Sequence, residues 1–447
     1  MGFLTLIEVV AASNAAVGLQ DASGSSLDVP RWLYVTTGGA TIGVSALLAS
    51  FVTDRAFIRR VHGWRRDLTA DRAPRTAVTV LRAFALVVLG LVVYWGIAGP
   101  QVPTVNFAIV FVFVGLRAGL TMATYLLGNV WPALNPWRAL TERLPHGFVE
   151  YPRRVGRWPA VAGLLALVWV ETTTGVTTRP AALAWAIVGY SILTMVGALA
   201  FGPRPWFENA DPIAVLFRLY GQVALLVRDE RGLSLRLPGM RLVEDGVVDG
   251  FDDIAFVIAL VWELTFSGFV TTTVGVAFVN AFVDVGLPPI AVYLALFLGG
   301  YAAFLAAYVA ASRVAVRSIA TYLTAETLAL RFAPSILAIA AGYHLAHYFG
   351  FFVSLSPSLA AALVSPFQPP SNPLVLTLPG WFGALGIAFV LMGHFLAVWV
   401  THSAAYDLFP SRLQAIRSQY PFVAVMIAYT AISLWLISLP TASPAYF

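Results

Sequence analysis

The chain has 447 residues, 59% of them hydrophobic and 11% charged, with a mean hydropathy of +0.81. That is far too little polar surface to clothe a soluble domain of this length, and it implies a polytopic membrane protein. Cys is absent and all 27 basic residues are Arg, which excludes disulfides, thiolate metal sites, cysteine nucleophiles and a Schiff-base lysine.

Taken from the start, residues 1–30 lack a basic n-region and carry Glu8. They make a poor signal peptide and read as an external segment. Runs of roughly 20 apolar residues, enough to cross about 30 Å of hydrocarbon, fall near 31–53, 78–98, 105–127, 158–176, 181–201, 254–270, 288–311, 330–353, 379–401 and 420–439. The fold class that follows is an all-α bundle of about ten transmembrane helices, multi-pass in the cell membrane and in contact with its lipids. Its connections alternate in charge. Segment 54–77 holds seven Arg, 128–157 five, 202–250 six, and 312–329 and 402–419 two each, whereas the intervening connections hold only Arg179. The positive-inside rule then places the Arg-rich connections in the cytoplasm and both termini outside.

Four parts result: the external segment 1–30, helices one to five over 31–201, a cytoplasmic Arg-rich segment over 202–253, and helices six to ten over 254–447. Within the third part, LLVRDERGLSLRL reads as two short strands about a turn near Glu230–Gly232, a hairpin on the membrane face. The uncharged, Pro-rich connection SPSLAAALVSPFQPPSNPLVLTLPG reads as a packed loop, with folding back over the outer mouth as the sharper alternative. Five plus five spans permit an inverted repeat, with Gly38–Gly39 and Ser267–Gly268 as helix breaks.

An ionisable side chain deep in hydrocarbon is expensive unless it binds something. Arg117 in the third span and Glu263 in the sixth reach similar depth, which makes an ion pair the economical arrangement. Glu171, in the outer third of the fourth span, is a candidate general base. NPWR at 135–138 reads as a structural turn with Trp137 in the interfacial belt, and anionic-lipid binding by Arg138 is the sharper alternative. Four of the six histidines lie in the last quarter: His344, His347, His394 and His402. His344 and His347, three residues apart, share a helical face and can both reach one ion. His394 and His402 are eight apart, roughly 12 Å along the axis, too far for one metal. The best facing pair is therefore His344 or His347 with His394, able to hold a divalent metal or to supply axial ligands to haem. The bland alternative is that each imidazole hydrogen-bonds a neighbouring carbonyl or hydroxyl, and at His402 this is the stronger reading.

DVPRWLY at 28–34, NFAIVFVFVG at 106–115, NPWR at 135–138, YPRRVGRWPA at 151–160, Glu171 after Trp169, AHYF at 346–349, His394, His402 and IRSQYPFVAVMIAYTAISLWLIS at 416–438 occur in that order. Almost end to end, this series resembles the integral membrane family known as fenitrothion hydrolases, named for a bacterial enzyme that cleaves an organophosphate triester. The resemblance carries Glu171, His347, His394 and His402 onto matching positions, and His344 is not part of the pattern. Two departures stand out. Ser267 replaces an acidic residue in the sixth span, with Glu263 one turn earlier, and the outer connection before the ninth span lacks the aspartates of relatives. The resemblance implies a hydrolase of apolar, organophosphate-type esters, with His347, His394 and Glu171 catalytic; spacing adds His344 to His347 and His394 as the candidate metal ligands. Two other classes fit the same residues: a haem- or copper-binding redox or assembly factor, and a small-molecule transporter whose recognition groups include Arg117 and Glu263. Lipids and an apolar small-molecule substrate are the implied partners, and no feature points to nucleic acid.

Overall fold

In hydrocarbon no water satisfies the backbone, so each apolar run must bond its own N–H and C=O groups and become a helix. The structure, a computed structural model, describes residues 31–68, 75–229, 232–440 and 442–446. The expected external segment 1–30 and the hairpin turn at Glu230 lie outside the described residues. The first half supplies α1 (Arg31–Phe51), α2 (Arg55–His62), α3 (Arg75–Ala98), α4 (Phe107–Leu127), α5 (Trp158–Thr173), α6 (Pro180–Phe201) and α7 (Pro212–Tyr220). The second supplies α8 (Phe251–Val270), α9 (Thr273–Val283), α10 (Pro289–Ser318), α11 (Ala325–Val364), α12 (Gly383–Leu408) and α13 (Arg412–Ile437).

Among the described residues, eight helices are long and apolar enough to cross a membrane, or nine if α1 and α2, bent by 117° at their junction, form one span. The chain is thus an all-α, multi-pass membrane bundle. The expected fourth span is the exception to the count of ten: α5 has 16 residues, about 24 Å at 1.5 Å per residue, short of a full crossing. Neither proposed helix break exists. Gly38–Gly39 lies inside α1 and Ser267–Gly268 inside α8, and the break near α1 falls after Phe51, where Asp54 caps α2 through Ala56 N. Outer connections are also more helical than expected. α9 occupies most of 271–287, and α11 continues to Val364 over 40 residues, about 60 Å in all. The Pro-rich stretch then folds back on α11, where Ser354 and Ser358 bond the backbone of Leu376 and Leu374 at 2.8 Å.

Every residue from 253 to 268 of α8 is buried, so that helix is enclosed by protein on all sides. α11 packs against it and α12 packs on α11. A Cβ on Gly342 would lie 2.7 Å from the Phe389 carbonyl oxygen and 2.8 Å from Gly393 Cα. Only glycines allow that approach, the small-residue contact of membrane helices, and it fixes the register of the histidines on α11 and α12. The outer helices leave Leu47, Leu48, Phe84, Val87, Leu193 and Val196 exposed, an apolar surface suited to lipid rather than water.

At one end the five Arg-rich connections meet. β1 (Arg65–Leu68), β2 (Leu226–Asp229) and β3 (Gly232–Arg236) form an antiparallel sheet in the order β1-β3-β2, with Arg65 opposite Arg236 and Leu226 opposite Leu235. Arg157 and Arg218 both bind the buried Asp253 carboxylate, the latter at 2.8 Å. Arg331 binds Asp245 at 2.5 Å, and Gln414 donates to the Ala320 carbonyl. Arg55 donates to the carbonyls of Tyr406 and Phe409 at 2.5 Å and of Pro410 at 2.9 Å, supplying donors that the end of α12 otherwise lacks. NPWR belongs to the same end but binds protein. Trp137 is buried against Trp131 and Tyr190 instead of joining an interfacial belt, and Arg138 pairs with Glu142 at 2.7 Å. Burial pushes the Glu142 carboxyl up, but Arg138 and Arg82 outweigh it and hold it below the ordinary carboxylate range. At the opposite end the chain terminus packs on α8 and α9, with Ala442 N donating to the Thr271 carbonyl at 2.9 Å.

Because these connections share one end, a reporter fused after Phe447 is expected outside the cytoplasm. Protease or reporter mapping that puts it inside reverses the orientation of the bundle.

Candidate functional site: a charged centre on four helices

Arg117 stands on an unusual piece of backbone. Asn106 caps α4 by accepting from Ala108 N at 2.9 Å while its amide donates to the Trp95 and Pro100 carbonyls at 2.9 and 2.8 Å. Beyond it, Val110–Leu120 is π-helical, a rare geometry that recurs at functional sites. The widened segment leans on α11: a Cβ at Gly119 would come within 2.7 Å of the Phe352 ring.

The guanidinium gathers side chains from three further helices. Nη1 lies 2.9 Å from Glu171 Oε2 on α5, Nη2 donates to Glu263 Oε1 on α8, and Nε donates to the Tyr348 hydroxyl on α11 at 2.6 Å. Its carbon sits 5.3 Å from the Tyr348 ring centroid, a cation–π contact. The Arg117 carbonyl oxygen accepts from His344 Nε2 at 2.9 Å. Burial grades across the group: the side chains of Arg117, Glu171 and Glu263 keep 26%, 13% and 9% exposure, so the centre is enclosed but reachable. Tyr220 and Tyr125 close one side, with rings 6.1 and 5.8 Å from that of His344.

Arg117 and Glu263 therefore meet, and Glu171 turns to Arg117 rather than to the histidines. The histidines divide. His344 joins the centre through a backbone carbonyl. His347 donates from Nδ1 to the Tyr343 carbonyl at 2.9 Å and stacks on the Tyr343 ring. His394 donates from Nδ1 to the Val390 carbonyl at 2.8 Å, and its Nε2 is held by the Thr430 hydroxyl. His402 donates from Nε2 to the Val52 carbonyl at 2.9 Å, with Nδ1 3.2 Å from the Gln419 side-chain oxygen. A nitrogen that donates to a carbonyl has no lone pair for a metal. In His344 and His347 the other ring nitrogen keeps its lone pair, as in metal-bound histidines, but in His394 both nitrogens are engaged, so a metal or an axial haem pair that includes His394 does not fit these contacts. Among the described residues no group of three or more His, Asp or Glu side chains is gathered to hold a metal.

Tyr348 is marked in the sequence only by its spacing. It follows His347 directly and lies four residues after His344, so it shares the His344 face of α11, and the two rings stack at 4.6 Å. That spacing was the available signal.

If Arg117 and Glu263 act as one unit, Arg117→Ala should destabilise by about 3–5 kcal/mol, because it strands buried carboxylates, whereas Glu263→Ala leaves Arg117 its contact with Glu171 and should cost less. The double variant should cost less than the sum, read by chemical unfolding in detergent; additive losses would separate the two. Comparison of the chain with protein-family models, with curated proteins and with solved structures gives no match, so the site is interpreted on its geometry.

Proposed function

We propose that this protein is a membrane carrier for a small polar or charged solute, working in the cell membrane, with Arg117, Glu171 and Glu263 as the groups that solute or a coupling ion engages. One observation carries the proposal: a guanidinium within the bundle, 26% exposed, is shared by two carboxylates from different helices. Intramembrane ionisable groups of this kind mark solute and ion pathways. Their partners sit on separate helices, so a relative shift of α4, α5, α8 and α11 exchanges one set of ion pairs for another. The π-helical stretch that carries Arg117 gives such a shift a place to start, since its wider turns convert to α-helix by moving one residue.

The competing readings depend more heavily on the histidines. Ester hydrolysis with His347 and His394 as catalytic groups, or a haem or copper site, needs ring nitrogens that in His394 are both engaged. Hydrolysis keeps one foothold, Glu171 beside the donors of Arg117 and Tyr348.

The test is solute-induced current from proteoliposomes on a solid-supported membrane, with a panel of amino acids, organic cations and organic phosphates. The expected result is a saturable current with at least one of these, lost in Arg117→Gln. No current with any of them, together with turnover of an apolar phosphotriester that is lost in Glu171→Gln, would replace the carrier with a hydrolase.

A further inference from the structure

The charges at the centre do not balance. One guanidinium faces two carboxylates, Glu171 and Glu263, and with all three ionised the group carries an uncompensated negative charge among packed helices, where that is costly. The other groups facing Glu171 and Glu263 do not supply the missing positive charge. From α11 come the Tyr348 hydroxyl, which accepts from Arg117 Nε at 2.6 Å, and His344, which faces the Arg117 carbonyl. From α7 and α4 come Tyr220 and Tyr125, both within electrostatic reach of Glu263. The nearest further arginine on α7, Arg218, is committed to Asp253 at 2.8 Å.

A bound metal cation is a poor solution. It needs a cage of oxygen ligands, whereas the nearest partners of these carboxylates are the donors of Arg117, and no three-ligand acidic group is found among the described residues. A proton needs only one oxygen. The two carboxylates are not equivalent hosts. Glu263 accepts a hydrogen bond from Arg117 Nη2, a contact that favours its charged form. Glu171 stands 2.9 Å from Nη1 and is the more exposed of the two, 13% against 9%.

We infer that the Arg117 centre is a proton-loading site, in which Glu171 carries one exchangeable proton at neutral pH while Arg117 and Glu263 remain an ion pair. Loading is the reaction of the Glu171 carboxylate with a proton from water to give the carboxylic acid, and unloading returns the proton to water. The use of this proton to drive solute movement rests on the carrier reading; the protonated acid itself does not. When Glu171 loses its proton, the carboxylate competes with Glu263 for the guanidinium, and this links protonation to the packing of α5 and α8 against α4.

The test is infrared difference spectroscopy of the purified full-length protein in H2O and D2O at neutral pH, with no solute added. The expected result is a carboxylic-acid carbonyl band that shifts in D2O, is lost in Glu171→Gln, and keeps its position in Glu263→Asp, which retains the carboxylate paired with Arg117, and in the surface control Glu326→Gln. Glu171→Asp should keep an acid band at an altered position, which separates loss of the acid from loss of the fold. No band in the wild type, or a band retained in Glu171→Gln, would overturn the inference. A protein with the band but no solute-induced current keeps the proton site and loses the carrier.

Discussion

A charge inside a helical bundle has to be answered on the spot, because neither lipid nor a packed apolar neighbour can solvate it. Arg117 imposes that constraint here. Its three polar contacts form only if α5, α8 and α11 bring Glu171, Glu263 and Tyr348 to the same depth as the middle of α4. The buried α8 packs against α5, α10, α11 and α13, and Glu263 places a charge in the middle of its buried length. Packing alone would tolerate small changes in the register of α4 on α8 and α11. The ion pairs are more demanding, since moving one helix by a single turn separates them.

The opposite treatment of charge appears at the Arg-rich end. There the guanidiniums are spent on carbonyls and aspartates that close helix ends: Arg55 on the end of α12, and Arg157 and Arg218 on Asp253 at the start of α8. A residue type that sets membrane orientation through its position also ties five connections and a three-stranded sheet into one cap. The centre and the cap are joined through α8, which carries Asp253 at one end and Glu263 ten residues, about 15 Å, further along.

Much of this architecture was legible from residue patterns. Apolar length located the helices, because every backbone group in lipid must be bonded within its own segment. Equal depth paired Arg117 with Glu263. Strand alternation in 225–237 located β2 and β3, but not β1, a four-residue strand from the other half of the chain whose pairing is set only by the folded cap. The inverted-repeat breaks failed because glycine in a membrane helix is as readily a close contact as a break. Gly38 faces the Leu434 side chain of α13. The histidines separate from one another for a related reason. Spacing places His344 and His347 on one face of α11, but it does not reveal that each imidazole bonds a main-chain carbonyl, that of Arg117 in one case and Tyr343 in the other. The partner of Glu171, Arg117, is not legible in the sequence, because sequence gives depth in the membrane but not the direction in which a side chain faces.

The central claim is that one guanidinium balances one carboxylate, with the second carboxyl neutral. The most direct measurement compares the unfolding free energies of Glu171→Gln and of Glu171→Gln/Glu263→Gln in detergent at neutral pH. Replacing an already neutral acid should change stability by less than about 1 kcal/mol, whereas removing both carboxylates leaves Arg117 unpaired and should cost about 3–5 kcal/mol. A large loss in the single variant, or none in the double, would contradict the account.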